Sequence, residues 1–349
     1  MRLAFASLLA CLFAALIYAD DASPEELEQR ARTYRLQGNL PMAEKCFRQL
    51  LEIREGASGQ YSSELAPTLN SLARILIATK KYSEAERLLS RIASIRERQR
   101  GFDHPDVAAA YMALADLYAV EKNLPAAEPL YVRAIEILEK VYGTEDQKIC
   151  PALEGLAGMY RAESKIDEAE ALLRRALLIR DNAVGPVNAD VMQALDALAS
   201  LYYSAARFAD AEPLYRRSLA IAEQLSRPDS AELATNLDNL AVVLAKQDKY
   251  KEAEPLYQRS LEIRDMVDIS SLHNLALVKA GLKKYWAADA LYKRILAIAP
   301  NSPGLVPVLN EYAEVLHALK RETEAARVEA RAKSLKRVEG SDTMKKDVH

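Results

Sequence analysis

Phe208-Ala209-Asp210-Ala211-Glu212-Pro213-Leu214-Tyr215 returns 42 residues later as Tyr250-Lys251-Glu252-Ala253-Glu254-Pro255-Leu256-Tyr257. The alanine-acid pair at its centre extends the period towards both ends. It stands at Ala43-Glu44, Ala85-Glu86, Ala127-Glu128, Ala169-Glu170, Ala211-Glu212 and Ala253-Glu254, each alanine 42 residues after the last. Ala288-Asp289 and Ala325-Ala326 follow at spacings of 35 and 37. Self-similarity at a fixed period of this size marks a repeat array, and it overrides the two-domain reading that 349 residues would otherwise suggest.

A second series runs beside the first. Twelve residues before each of these alanines stands another: Ala31, Ala73, Ala115, Ala157, Ala199, Ala241, Ala276 and Ala313. A small residue on each of two helices lets their backbones approach closely. Three residues after the first alanine comes a bulky one, Tyr34, Leu76, Tyr118, Tyr160, Tyr202, Leu244 and Leu316, with Lys279 breaking the series. Four after the second comes another, Phe47, Leu89, Tyr131, Leu173, Tyr215, Tyr257 and Tyr292, with Glu329 breaking it in the terminal unit. Leu153, Leu156, Ala157 and Tyr160 share one helical face, and Ala169, Leu172, Leu173 and Ala176 share another. Each unit is therefore an antiparallel helix pair that buries its apolar face only against its neighbours. Pro129, Pro213 and Pro255 are expected near the start of second helices, where amide donors lack partners anyway. Gly101 to Pro105, Gly143, Gly185-Pro186 and Pro228 read as turns between units.

These residues resemble the tetratricopeptide repeat in its 42-residue, kinesin-light-chain-like form. The carriers are Leu198-Ala199, Tyr202, Ala211-Glu212-Pro213-Leu214-Tyr215 and Arg217-Ser218-Leu219, then Lys249 to Tyr257 with Arg259-Ser260-Leu261-Glu262-Ile263, and His104-Pro105-Asp106-Val107-Ala108 between units. The resemblance covers about residues 25 to 335 and implies an all-α fold, a right-handed superhelical solenoid of about eight antiparallel helix pairs. The expected organisation is six 42-residue units over 25–269 and two shorter units over 270–335. A charged tail over 336–349, where the pattern is lost, is expected to be disordered. The resemblance is to the repeat and not to the motor subunit, and it is specific for fold far more than for function.

Members of this family bind peptides or protein segments in a concave groove lined by the first helix of each unit. Carried over by position, the groove would include Asn70, Arg74, Met112, Asp116, Glu154, Arg161, Asp196, Tyr203, Asp238, Asn239, Lys246, His273, Asn274 and Asn310. Asp116, Glu154, Asp196 and Asp238 recur at nearly one position and give a mildly acidic middle, which favours a partner carrying Lys or Arg. The Lys/Asn clamp with which chaperone-tail-binding members hold a terminal carboxylate is not found.

At the N-terminus, Arg2 precedes an apolar run from Leu3 to Ala19, closed by Asp20 and Asp21. This is the pattern of a signal peptide, 1–19, and it implies an exported, periplasmic or secreted protein. Membrane association enters only if the signal is retained or if Cys11, in the lipobox-like Leu8-Leu9-Ala10-Cys11, is lipidated. After cleavage Cys46 and Cys150 remain, in units too far apart along an array for a disulfide. The net charge of −3 and the lack of a basic stripe argue against nucleic acid. No zincin, nucleophile-elbow, phosphate-loop or Cys-x-x-Cys motif is present, and His104, His273, His317 and His349 are scattered, so no catalytic residue, metal, cofactor or small-molecule substrate is expected. The sequence thus points to a protein-interaction scaffold. A permanent structural subunit of an envelope or secretion complex is the alternative, and an enzyme built on a solenoid is the remote one.

Overall fold

A computed structural model describes residues 22–265, 267–300 and 302–346, with side chains described for all of these except 303 and 337–346. The expected signal at 1–19, with Cys11, lies outside the described residues. The chain divides into two units, Met1–Leu172 and Leu173–His349. The described residues form α-helices, three short 3-10 turns and no strand. In the first unit run α1 Pro24–Leu36, α2 Leu40–Ser58, α3 Ala66–Ala78, α4 Tyr82–Arg100, α5 Pro105–Val120, α6 Leu124–Tyr142 and α7 Cys150–Ala162. The division falls within α8, Ile166–Val184. The second unit continues with α9 Ala189–Ser204, α10 Phe208–Leu225, α11 Ala231–Lys246, α12 Tyr250–Ile263, α13 Ile269–Gly281, α14 Tyr285–Ile298, α15 Val306–Ala318 and α16 Glu322–Lys346.

From α1 to α7 in the first unit and from α9 to α16 in the second, each helix packs on the next in sequence, and some first helices also touch each other: α5 with α7, α11 with α13, and α13 with α15. Both alanine series are buried throughout, as are Phe47, Leu89, Tyr131, Leu173, Tyr215, Tyr257 and Tyr292. The small residues set the spacing and the large ones fill it, to the density expected of a protein core.

The turn inside each pair has one geometry. In the first pair Gly38 has φ 74°, and the equivalent Lys80, Lys122, Ser164, Ala206, Asp248, Lys283 and Lys320 all have φ between 57° and 61°. At each, the amide of the following residue donates to the carbonyl five residues before it, for example Arg207 to Tyr202 at 2.8 Å and Lys81 to Leu76 at 2.8 Å. The left-handed residue donates to the carbonyl three before it, as Ala206 does to Tyr203 at 3.0 Å. This double closure is the Schellman motif, and it satisfies carbonyls that the helix end would otherwise orphan. A left-handed non-glycine residue costs about 1–2 kcal/mol, so Ala206→Gly should stabilise the second unit by about 0.5–1 kcal/mol after the added chain entropy. Thermal unfolding reads this as a rise in Tm of about 2 °C; an unchanged or lower Tm would show the strain is already relieved.

Because this turn is so short, the second helices begin at residues 124, 208 and 250, several positions before Pro129, Pro213 and Pro255. The prolines therefore sit inside α6, α10 and α12 and not at their first turns as the sequence suggests. Each removes one backbone N–H donor from its helix.

The acid of the alanine-acid pair has a structural task. Lys81 Nζ reaches Glu44 at 3.0 Å, Tyr118 donates to Glu86 at 2.6 Å and Tyr160 to Glu128 at 2.7 Å. In the second unit Lys249 reaches Glu212 at 2.6 Å, Lys284 reaches Glu254 at 2.8 Å and Arg321 reaches Asp289 at 3.0 Å. Every donor comes from the end of the next pair's first helix or its turn, so the acid ties one repeat to the following one. Lys279, the break in the bulky series, bonds Glu254 from the register that Tyr118 and Tyr160 occupy, so it is the same link made with a different donor.

Burial alone would raise the carboxyl groups of Glu44, Glu212, Glu254 and Asp289, but their Lys, Arg, Tyr and Gln donors outweigh it and hold all four below the ordinary value. A carboxylate depressed in the folded state stabilises at every pH above its unfolded value and loses that contribution as the pH falls through the folded one. The fold should therefore weaken on acidification below about pH 4. Asp289→Asn should lower Tm at neutral pH and flatten that acid limb; an unaltered profile of Tm against pH would show the link contributes nothing.

Helix α16 continues to Lys346, into the stretch expected to be a disordered tail. Cys46 and Cys150 are both buried, and burial pushes the Cys46 thiol above its ordinary value.

Candidate functional site

The residues expected to line a groove stand on first helices, but in several different settings. Asn70 and Arg74 on α3 are exposed. Asp116 on α5 is exposed and accepts a hydrogen bond from the buried Tyr131 hydroxyl of α6. Tyr131 in turn lies against Gly155 of α7, where a Cβ would meet its ring at 2.5 Å, so any other residue there would force the ring to move. Met112 on α5 and Glu154 on α7 are half-buried and Arg161 is exposed; Glu154 and Arg161 each make interactions within the protein.

In the second unit Asp196 and Tyr203 stand on α9, Asp238, Asn239 and Lys246 on α11, His273 and Asn274 on α13, and Asn310 on α15. His273 Nε2 contacts a carboxylate oxygen of Glu311 from α15. Asn310 lines a recess of about 490 Å³ between α15 and α16, with Glu314, His317, Glu329 and Lys333. Tyr203, Lys246 and Asn274 converge on a second recess of about 540 Å³. Its other walls are Val242 and Ala245 of α11, Asp248 from the turn, Tyr250 and Tyr257 of α12, and Leu277, Val278 and Gly281 of α13.

The fold builds this second recess in identifiable steps. Tyr257 belongs to the bulky series that fills the pair, and burial, with Asp238 and Tyr203 nearby, raises its phenol well above the ordinary value. The Tyr250 hydroxyl donates to Asp248 at 2.6 Å, and its ring lies where a Cβ on Gly281 would come within 2.7 Å. Gly281 is thus what allows α12 and α13 to close at this end. Tyr203 packs against Phe208, with ring centroids 5.6 Å apart and the ring planes tilted by 58°. The result is a mostly apolar and aromatic recess with a side-chain amide, a lysine and an aspartate at its edge, the composition of a surface that takes up one side chain of a protein ligand. Sequence reasoning missed Tyr250, Tyr257, Leu277 and Gly281; the one signal for them was a glycine at the end of α13 in place of a helix former.

Part of the acidic column is internal to the structure. Arg54 of α2 bonds Glu28 of α1 at 2.7 Å and Thr68 of α3 at 2.5 Å, which ties three helices together. Arg264 does the same after α12: it bonds Asp238 of α11, Ser260 at 2.6 Å, Thr235 at 3.1 Å and Ser271 of α13 at 3.3 Å, and Ser271 donates to Asp238 at 2.9 Å. The charge of Asp238 is therefore already answered within the protein. Oδ1 of Asp238 is nonetheless buried without a hydrogen-bond partner, and so is Oδ1 of Asp196. Burial raises the Asp196 carboxyl above the ordinary value, a bond from the buried Ser218 opposes that, and the charge of Glu232 adds to it.

Among the described residues no three of His, Cys, Asp and Glu are grouped as they would be around a metal ion, and no helix is long and apolar enough to cross a membrane.

A family model described as tetratricopeptide repeat matches residues 25–98, 64–140, 106–182, 148–224 and 190–266. Among solved structures, the crystal structure of BtubC (BKLC) from P. vanneervenii is 24% identical, with 68% of this chain and 91% of that one covered and a TM-score of 0.53. The nearly identical TPR-like repeats of a putative kinesin light chain from Podosopora anserina are 22% identical, with 58% and 95% covered and a TM-score of 0.51. At these identities the likeness establishes the fold alone. No curated protein matches the sequence.

Proposed function

The chain belongs to the tetratricopeptide repeat family, and from that premise we propose that it is a protein-interaction scaffold. It would bind an extended protein segment along its first helices, with the recess between α11 and α13 seating one side chain. The observation that carries this reading is the convergence of Tyr203, Lys246 and Asn274 on one recess walled by Tyr250, Tyr257, Leu277 and Val278. Repeat arrays of this kind expose extended surfaces suited to such ligands. The aromatic walls would supply affinity through buried area, and Asn274 would bond the main chain of the segment. The uneven acidity of the first helices favours a segment with basic residues. Binding and not catalysis is the proposed role, and the apolar run at Leu3–Ala19 supports export as part of it.

Affinity capture from the native host, followed by mass spectrometry, tests the reading. Asn274→Trp with Tyr203→Ala should reduce capture of the main partner at least ten-fold, the equivalent of about 1.4 kcal/mol, while helical content and Tm stay near those of the wild type. Undiminished capture by the folded double variant would refute the recess as the binding site.

A further inference from the structure

At equal register the sixth repeat departs from its neighbours on the wall of the recess between α11 and α13. Five residues after the first-helix alanine it carries Lys246, where the other seven repeats carry Leu, Ala, Val, Ser or Gly. One residue after that alanine it carries Val242, where the third repeat carries Asp116. The lysine is thus particular to this repeat and is no part of the framework that the repeats share. It is exposed, and no carboxylate among the described residues pairs with it.

Valine at position 242 has a consequence for the tyrosine behind it. In the third repeat Asp116 accepts from the hydroxyl of the buried Tyr131. Tyr257 holds the register of Tyr131 and is 1% exposed. With Val242 in place of the acid, no hydrogen-bond partner among the described residues reaches its hydroxyl. Tyr292, which has Leu277 at that place, also lacks a partner, but its hydroxyl is buried, whereas Tyr257 lines a recess of about 540 Å³. Burial holds the Tyr257 phenol well above its ordinary value, so at neutral pH it stays protonated and able to donate. The acid on the same wall, Asp248, already accepts from Tyr250 at 2.6 Å. The recess therefore offers a buried hydroxyl and an ammonium group, both without an acceptor, between the apolar surfaces of Val242, Leu277 and Val278. What completes it is an acceptor with one negative charge carried on a short apolar stem.

We propose that the recess receives the side-chain carboxylate of a glutamate in the bound protein segment, its oxygens taken by the Tyr257 hydroxyl and Lys246 and its methylene groups by Val242, Leu277 and Val278. The proposal rests on the scaffold reading and names the side chain that the recess seats. Tyr257 then reads the guest as well as filling the core, and Asn274 holds the main chain beside it. Basic residues of the segment face the acidic positions on other first helices. A single cation matches a monoanion; a phosphate dianion calls for clustered guanidinium groups, and no arginine lines this recess.

NMR of the tyrosine-ring-labelled full chain, read at Tyr203 and Tyr257, tests this with three probes. N-acetyl-glutamate α-amide has a side-chain carboxylate alone, N-acetyl-glutaminamide is its neutral isostere, and N-acetyl-glycine has a terminal carboxylate alone. The glutamate amide should give saturable shifts and bind about ten-fold more tightly than the glutamine amide. It should also bind more tightly than N-acetyl-glycine. Tyr257→Phe keeps the ring, as Phe47 does at this register in the first repeat, and should keep the wild-type Tm. That variant and Lys246→Met should each bring the two amides to within about two-fold of one another. No saturable shift, equal binding of acid and amide by the wild type, tighter binding of N-acetyl-glycine, or a glutamate preference that survives both substitutions overturns the proposal. These measurements need no partner. If partner capture is lost in the Asn274→Trp, Tyr203→Ala double variant yet unchanged in Tyr257→Phe, the recess stands and the glutamate receptor does not.

Discussion

Tyr292→Ala should destabilise the C-terminal unit by about 3–5 kcal/mol, whereas Tyr292→Phe should leave it unchanged or stabilise it by about 1 kcal/mol. Tyr292 is fully buried in α14 and stacks on Tyr312 of α15 with centroids 5.0 Å apart, while His273 of α13 lies 6.2 Å away. The ring therefore joins three successive helices, and truncation would open a cavity that rigid helix pairs cannot close. Its hydroxyl is buried with no hydrogen-bond partner. Burial raises the phenol above its ordinary value, and nearby Glu311 and Glu314 raise it further. Removing that oxygen discards a desolvated group and loses no bond, so the two substitutions separate packing from polarity at one position. Urea denaturation reads both. Equal losses for Phe and Ala would show that the hydroxyl is satisfied after all.

Ala115→Leu should cost the N-terminal unit about 3 kcal/mol, at the upper end of what overpacking usually costs. Ala115 on α5 and Ala127 on α6 are completely buried where the two helices of a pair meet. A larger side chain there has no exposed direction to take and must part α5 from α6. That would also disturb the bond from Tyr131 to Asp116 and the tight approach of Tyr131 to Gly155. Ala109→Leu, on the same helix at an exposed position, is the control and should stay within about 0.5 kcal/mol of the wild type. Comparable losses for the two variants would mean that residue 115 is not a spacing residue.

Much of this architecture was legible because its causes are local and periodic. Two alanines twelve apart fix where paired helices touch, and bulky residues three and four positions on fill the gap. What was hidden depends on backbone conformation or on partners far along the chain. The intra-pair turns carry Lys, Ser, Ala and Asp at left-handed positions, so no glycine signal marks them, and that is why Pro129, Pro213 and Pro255 suggested later helix starts. The acid of the alanine-acid pair looked like part of a pattern, but its donors come from the next repeat. Lys279 looked like a defect until its bond to Glu254 was seen.

The candidate site was legible in outline only. First-helix positions identified Tyr203, Lys246 and Asn274, which meet at one recess, but the same rule also selected Asp238, whose charge is held by Arg264. Whether a polar residue on a first helix is free or locks a neighbour depends on a partner far along the chain, as Arg264 is from Asp238.

Site-specific photocrosslinking in the native host tests the central claim most directly. A benzophenone side chain replaces Leu277 at the edge of the recess in one variant and the exposed Trp286 of α14 in another. The account predicts a discrete protein adduct from position 277, weak or absent from position 286, and lost when Asn274→Trp and Tyr203→Ala are added. Adducts from position 286 alone, or adducts from 277 that survive those substitutions, would contradict it.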